Sequence, residues 1–315
     1  MRTNNPGLIT LTLNPAIDHI LKLDSISLYS KNLVEKAFTF YGGKGINAAY
    51  ALGKLGASCV AAGFIGEKEL APLTQKLDSV SVKTRFLAIH GNTRENFKVM
   101  DIQAKKDTEF NQPGFTVGPE EIIKLNAVLS GLFQQCNWLA ISGSLPPGID
   151  ETYYAEIIRR AKGCGVKTCL DTSGKALRAG IAAQPALLRI NLAELEEALG
   201  RKLDRQPEIL AGMNELIDAG IEMVIVSMGK RGVIGCNTHE AWLVNVPEVK
   251  VTSLTGAGDT LTAGCLHALS TGQSFNEMLL SASALATAST LKMEPGDFDP
   301  QDLLKISKQT TLERL

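Results

Sequence analysis

The sequence predicts an α/β fold in three layers, with helices on both faces of a mainly parallel central sheet and a small β-sheet lid added to it. Three observations predict this. Short β-branched or apolar runs alternate along most of the chain with stretches whose apolar residues recur at spacings of three and four. Strand and helix repeated in that order imply right-handed crossovers between parallel strands. With 315 residues, 44% of them hydrophobic and 21% charged, the chain also has enough apolar material for an extensive core.

In chain order, strands are expected at residues 8–13, 59–64, 138–142, 167–171, 187–190 and 223–228, each a short apolar or β-branched run. Helices are expected at 47–55, 67–77, 119–133, 152–161, 208–219, 260–270 and 275–291, where the apolar period is that of a helix with one buried face. The stretch 279–291 is rich in Ser, Ala and Thr, which suits close helix packing better than a membrane span. Two regions break the alternation, at about 20–40 and 82–112, and are assigned to the lid. Within the second, 84–89 and 96–102 alternate polar and apolar residues and read as antiparallel strands with one wet face. A further hairpin is expected at 233–236 and 241–246, with His239 and Glu240 near its turn.

Composition excludes several functions. Lys plus Arg number 32 against 33 Asp plus Glu, so no basic excess exists to bind nucleic acid. The six cysteines form no C-x-x-C pair and the four histidines no H-x-x-x-H, which removes a structural zinc site. There is no run of 18 apolar residues, and residues 7–13 lead into Asn14-Pro15 without a leader's cleavage pattern. A cytoplasmic protein with reduced thiols and no membrane partner is expected, with Cys164 and Cys169 buried to different degrees.

The motifs point to phosphate chemistry without a P-loop. Four Gly-Lys pairs occur, followed by Gly45, Leu55, Ala176 and Arg231, so no Walker sequence is present. A dinucleotide fingerprint fails too, because Leu261 stands where the third glycine belongs in Gly256-Ala257-Gly258-Asp259-Thr260-Leu261. Thr255-Gly256-Ala257-Gly258-Asp259 nevertheless precedes an apolar helix. Its glycines let amides converge on an anion at the positive helix end, and a carboxylate beside such an anion accepts a proton from an attacking hydroxyl. Taken alone, the motif also reads as a glycine-rich turn with Asp259 as helix cap. A second cluster, Tyr41-Gly42-Gly43-Lys44-Gly45-Ile46-Asn47, offers polar groups to a polyol or is a plain lid-to-helix turn. Asn14 and Asp18 follow the first strand, where open α/β sheets collect ligands.

Taken together and in order, five segments resemble the ribokinase-like (PfkB) carbohydrate kinases from Thr10 to about Pro295: 11–18, 42–47, 141–148, 171–174 and 255–259. They look most like the branch containing 1-phosphofructokinase and tagatose-6-phosphate kinase. The resemblance implies a ribokinase-like fold, a single kinase domain over 1–315, and ATP with Mg²⁺ as cofactors. It implies that Asp259 is the base and that Gly256, Ala257 and Gly258 form the anion hole. It assigns the sugar hydroxyls to Asp18, Gly43 and Asn47, and the sugar's resident phosphate to Arg94, Lys44, Ser144 and Lys31. Asn191 and Glu194 resemble the family's N-x-x-E element, where Glu194 serves Mg²⁺ mainly through water; the same spacing is a helix capping box. Thr255, Ser227, Gly229 and Gly232 fall on the nucleotide side.

The expected partner is a phosphorylated ketohexose, with a homodimer formed through the lid. Thr108-Glu109-Phe110-Asn111 resembles a 1-phosphofructokinase segment and favours fructose 1-phosphate over tagatose 6-phosphate. A non-catalytic sugar-phosphate sensor would share the fold. The chain departs from the family pattern at Tyr41, at Ala48-Ala49-Tyr50, and at Met293-Glu294-Pro295-Gly296.

Overall fold

The computed structural model describes residues 7–315, so the first six residues of the expected 1–315 unit lie outside the described residues. From there the chain forms β1 (Gly7–Thr12), β2 (Ala16–Leu23), β3 (Lys36–Gly42), α1 (Lys44–Lys54), β4 (Cys59–Gly66), α2 (Leu70–Asp78) and β5 (Lys83–Ile89). Next come β6 (Arg94–Asp101), β7 (Lys106–Asn111), α3 (Pro119–Phe133), β8 (Cys136–Ser142), α4 (Tyr153–Gly163), β9 (Lys167–Asp171) and α5 (Gly174–Ala182). Then follow β10 (Leu187–Asn191), α6 (Leu192–Leu199), α7 (Gln206–Asp218), β11 (Met223–Ser227), β12 (Val233–Asn237) and β13 (Ala241–Asn245). The last elements are α8 (Ala257–Ser270), α9 (Phe275–Ser289), α10 (Pro300–Ser307) and β14 (Thr311–Arg314).

Among the described residues, one sheet runs in the order β14-β13-β12-β11-β10-β9-β8-β1-β4-β5 and a second in the order β3-β2-β6-β7. The large sheet is parallel from β5 to β11, and the antiparallel strands β12, β13 and β14 extend its far edge. Strands β1, β4 and β8 to β12 are buried on both faces, and their successive side chains divide between two cores. Ile9, Leu139, Leu170, Leu188 and Val224 face α3 to α7, whereas Leu8, Trp138, Cys169, Leu187 and Ile225 face α1, α2, α8 and α9. This is the predicted three-layer arrangement. The close helix packing expected late in the chain is the pairing of α9 with α8, where Ala282 and Ser283 are buried beside Ala263 and Gly264.

The lid differs from the expected one. Residues 83–89 form β5, the edge strand of the large sheet, and pair in parallel with β4; the predicted antiparallel pairing of 84–89 with 96–102 does not occur. An edge strand has one wet face, so its alternating burial carries the same sequence signal as a lid strand. The lid is built instead from β2, β3, β6 and β7, with β2 beginning at Ala16 and parallel to β6. Asp18 therefore belongs to a lid strand. Cys164 is exposed and Cys169 buried, as expected. No helix among the described residues is long and apolar enough to cross a membrane.

Candidate active site

The order of the large sheet reverses beside β1, which lies between β4 and β8, so a crevice opens beyond the carboxyl ends of β1 and β8. The chain leaves β1 at Asn14, β8 at Gly143 and β9 at Thr172, and the start of α8 faces the same end. The cap of α8 is Gly256 at φ 81°, a left-handed conformation that disfavours any side chain. A Cβ there would also lie 2.6 Å from Pro295 Cβ. The Ala257 amide is drawn into the turn by the Leu254 carbonyl at 3.3 Å.

Asp259, on the first turn of α8, is 8% exposed and accepts a hydrogen bond from Asn47 Nδ2 at 2.8 Å. Burial, and then repulsion from Asp171, push its carboxyl above the usual carboxylate range, against the pull of Lys44, Asn47 and Arg189. Such a carboxylate binds a proton more readily than an ordinary one, as a general base requires.

Beneath it lies a charge cluster that the sequence motifs do not assign. Asp171, fully buried at the end of β9, accepts from Lys44 Nζ (2.7 Å), Arg189 Nη1 (3.1 Å) and Thr262 Oγ1 (3.0 Å). Burial opposes its ionisation, but Lys44 and then Arg189 outweigh that and hold it well below the usual range. Arg189 also donates to Ser227 Oγ at 3.0 Å. Its guanidinium packs under the anion-hole motif, since a Cβ at Gly258 would lie 2.5 Å from each terminal nitrogen. Lys44 keeps its charge because Asp171, Glu194 and Asp259 more than reverse the effect of its burial. Its ammonium is 3.8 Å from Glu194 Oε1. The structure thus brings Lys44 to Asp171 and Glu194.

The capping-box reading of Asn191 and Glu194 is realised. Glu194 N donates to Asn191 Oδ1 at 2.9 Å and Asn191 N donates to Glu194 Oε2 at 2.8 Å, while Oε1 is the oxygen turned to Lys44. Among the described residues no cluster of three or more His, Cys, Asp or Glu could hold a metal unaided. A single carboxylate oxygen does fit Mg²⁺ carried chiefly by water and phosphate oxygens. Beyond β11, Gly229 and Gly232 both take positive φ in the turn that follows Ser227.

On the lid side, Asp18 accepts from Asn96 Nδ2 at 3.0 Å. Burial raises its carboxyl, with Asn96, Arg94 and Lys76 pulling the other way. Gly42, which precedes Gly43, separates Asp18 from Asn47: a Cβ on it would lie 2.8 Å from Asp18 Oδ2 and 3.2 Å from Asn47 Oδ1. Asn47 Oδ1, Asn96 Oδ1 and Thr255 Oγ1 are buried without a partner, and unpaired buried polar atoms in one cleft are what a polar ligand would satisfy.

A groove of about 530 Å³ is lined by Asn14, Arg94 and Ser144 together with Glu151 and Lys175. Asn14 Nδ2 donates to Ser144 Oγ at 3.1 Å. Arg94 is held by three backbone carbonyls: those of Pro15 (3.3 Å), Gln112 (3.2 Å) and Asn14 (3.2 Å). It therefore clasps the lid's base as well as facing the groove. Lys31 is exposed in the connection from β2 to β3, past the end of β2 opposite Ala16, and is not brought to the groove.

Comparison with known proteins matches the chain over nearly its whole length. The pattern of the pfkB family carbohydrate kinases matches residues 11–302. A tagatose-6-phosphate kinase of Staphylococcus epidermidis is 30% identical over 96% of this chain and 98% of its own length. A 1-phosphofructokinase of Rhodobacter capsulatus is 31% identical over 97% of each chain. Among solved structures, phosphofructokinase-2 of Escherichia coli in complex with substrates and products superposes with a TM-score of 0.89 at 28% identity, covering 96% of this chain and 98% of the other.

Proposed function

We propose that this chain, which belongs to the pfkB family of carbohydrate kinases, phosphorylates the free primary hydroxyl of fructose 1-phosphate to give fructose 1,6-bisphosphate. It is a sugar-phosphate kinase of the 1-phosphofructokinase and tagatose-6-phosphate kinase type. The observation that carries the reading is Asp259: a buried carboxylate of raised proton affinity, fixed by Asn47 at the start of α8.

In this reading Asp259 accepts the proton of the attacking hydroxyl as its oxygen bonds to phosphorus and the nucleoside diphosphate departs. The amides at Gly256, Ala257 and Gly258, with Lys44 and Arg189, oppose the charge on the transferring group. Since the Ala257 amide already meets Leu254, Gly256 and Gly258 are the principal donors. Mg²⁺ on ATP would neutralise phosphate charge, and Glu194, its side chain fixed by the Asn191 amide, would hold it through water. Ser227, Gly229, Gly232 and Thr255 border the nucleotide. Asp18, Gly43 and Asn47 orient the sugar hydroxyls, and Arg94 and Ser144 hold the resident phosphate. Lys44 sits on the side of the transferring phosphate.

A homodimer through the lid and a cytoplasmic location belong to the same reading. The first is supported by the exposed Phe110 and Leu33 of the lid, the second by five buried thiols without a disulfide. The assay is ADP release with fructose 1-phosphate, fructose 6-phosphate, tagatose 6-phosphate and unphosphorylated fructose. Turnover highest on fructose 1-phosphate is expected. Preference for tagatose 6-phosphate would transfer the assignment to the other branch name, and no ADP release with any of the four would leave only a sensor.

A further inference from the structure

The turn Met293-Glu294-Pro295-Gly296 is far in sequence from Tyr41 and Tyr50, and the fold gathers all three around Lys76. Lys76 stands in the last turn of α2 with its side chain only 12% exposed. Its ammonium donates to the Tyr41 carbonyl at 2.9 Å, pairs with Glu294 Oε1 at 2.9 Å and lies 4.9 Å from the centroid of the Tyr50 ring. Its direct contacts therefore reach the lid, the 293–297 turn and α1, which hold the substrate-side and phosphoryl-side residues.

Each contact leads directly to the site. Tyr41 is in the last lid strand before α1 and pairs with Ile17, the neighbour of Asp18. The Lys76 charge also favours the ionised form of Asp18. Glu294 begins the turn whose Pro295 backs Gly256. In the same turn, Gly296 approaches the Asn47 backbone so closely that a Cβ would lie 2.5 Å from the Asn47 carbonyl oxygen. Asn47 in turn holds Asp259. The far end of the turn is tied to α1 by Lys54, which pairs with Asp297 and donates to the Phe298 carbonyl at 2.6 Å. A largely buried ion pair returns little net stability against its desolvation, so geometry is what this one supplies.

We propose that Lys76 is a positioning residue for phosphoryl transfer. It fastens the lid strand beside Asp18 to the turn behind Gly256 and Asn47, keeping the group that holds the sugar in register with the group that activates it. The proposal rests on the kinase reading above.

The test compares wild type with Lys76→Met, Glu294→Gln and the double variant, varying ATP and fructose 1-phosphate separately at a temperature where all are folded. Lys76→Met should lower kcat/KM for the sugar phosphate by about 10- to 100-fold, the cost of misplacing reacting groups by about an ångström. KM for ATP should stay within about twofold, and Glu294→Gln added to Lys76→Met should cause little further loss, because the two act as one unit. Unchanged kcat/KM per folded molecule, a KM for ATP that rises as steeply as kcat/KM for the sugar phosphate falls, or losses that simply multiply would overturn the proposal. Should Lys76→Met fail to fold, Glu294→Gln carries the test alone, by the same selective loss for the sugar phosphate. A wild-type protein that releases no ADP with any sugar phosphate would overturn the kinase reading as well, whereas an active wild type with unaffected variants overturns only the role of Lys76.

Discussion

The two sides of the cleft are held in opposite ways. Where β9, β10 and α8 meet, ionised groups are buried and mutually paired, with Asp171 at 0% and Arg189 at 6% exposure. In the lid, every residue of β6 is half-buried and every residue of β7 exposed, so that Lys98 pairs with the solvent-accessible Asp107 and Glu109 of the outer strand. A dry, prearranged charge cluster suits the stabilisation of charge that appears during a reaction, because it needs no reorganisation at that moment. A thin, partly wet sheet suits recognition, because it completes its burial only against a partner or a substrate.

Substitutions on the two sides should therefore fail differently. Asp259→Asn should lower turnover by about 10² to 10⁴ while leaving the fold intact, as expected for the loss of a positioned base. It should not lower Tm at neutral pH. A carboxyl whose folded pKa is raised costs stability once pH passes the unfolded value, and the amide removes that cost. Turnover close to wild type would end the assignment of the base. Asp171→Ala should act on the fold itself, stranding the buried Arg189 at a cost of about 3–5 kcal/mol, measured by denaturant unfolding. A loss below about 1 kcal/mol would mean that water reaches the cluster.

On the lid side the effects should be smaller and substrate-selective. Arg94→Ala should cost about 1.5–3 kcal/mol in kcat/KM for the sugar phosphate, with the ATP parameters little changed. Equal loss for both substrates would mean that Arg94 serves only the carbonyls of Asn14, Pro15 and Gln112. Phe110→Ser, at a lid side chain that is 60% exposed, should alter stability by less than about 0.5 kcal/mol. If the lid joins two copies, the same variant should shift the equilibrium toward monomer in sedimentation.

The same contrast governs what the sequence makes legible. The central strands of the large sheet read clearly because burial on both faces demands continuous apolar runs, whereas the exposed edges β5 and β14 read as a lid strand and as no strand. The glycine motifs read clearly because an anion site at a helix start is encoded within a few adjacent residues. Three helices had too little apolar periodicity to be predicted: α5, which contains two glycines and three alanines; α6, in which Leu195 alone is fully buried; and α10, in which Ile306 alone is. The cluster of Asp171, Arg189 and Thr262 was missed for a different reason: its members meet only through tertiary packing, with 91 residues separating Thr262 from Asp171. A signal was nonetheless present, since Arg189 interrupts the apolar run of Leu187, Leu188 and Ile190, and a charge there must have a partner.

The most direct test of the account is kcat/KM for fructose 1-phosphate as a function of pH, in wild type and in Asp259→Asn. Asp259 must be ionised to accept the proton, and burial followed by repulsion from Asp171 raises its proton affinity. The wild-type rate should therefore fall as pH drops through a limb lying above the ordinary Asp value of about 3.9, and Asp259→Asn should lose that limb together with most of its rate. A wild-type profile that stays flat down to the ordinary carboxylate range, or the same limb persisting in Asp259→Asn, would contradict the account.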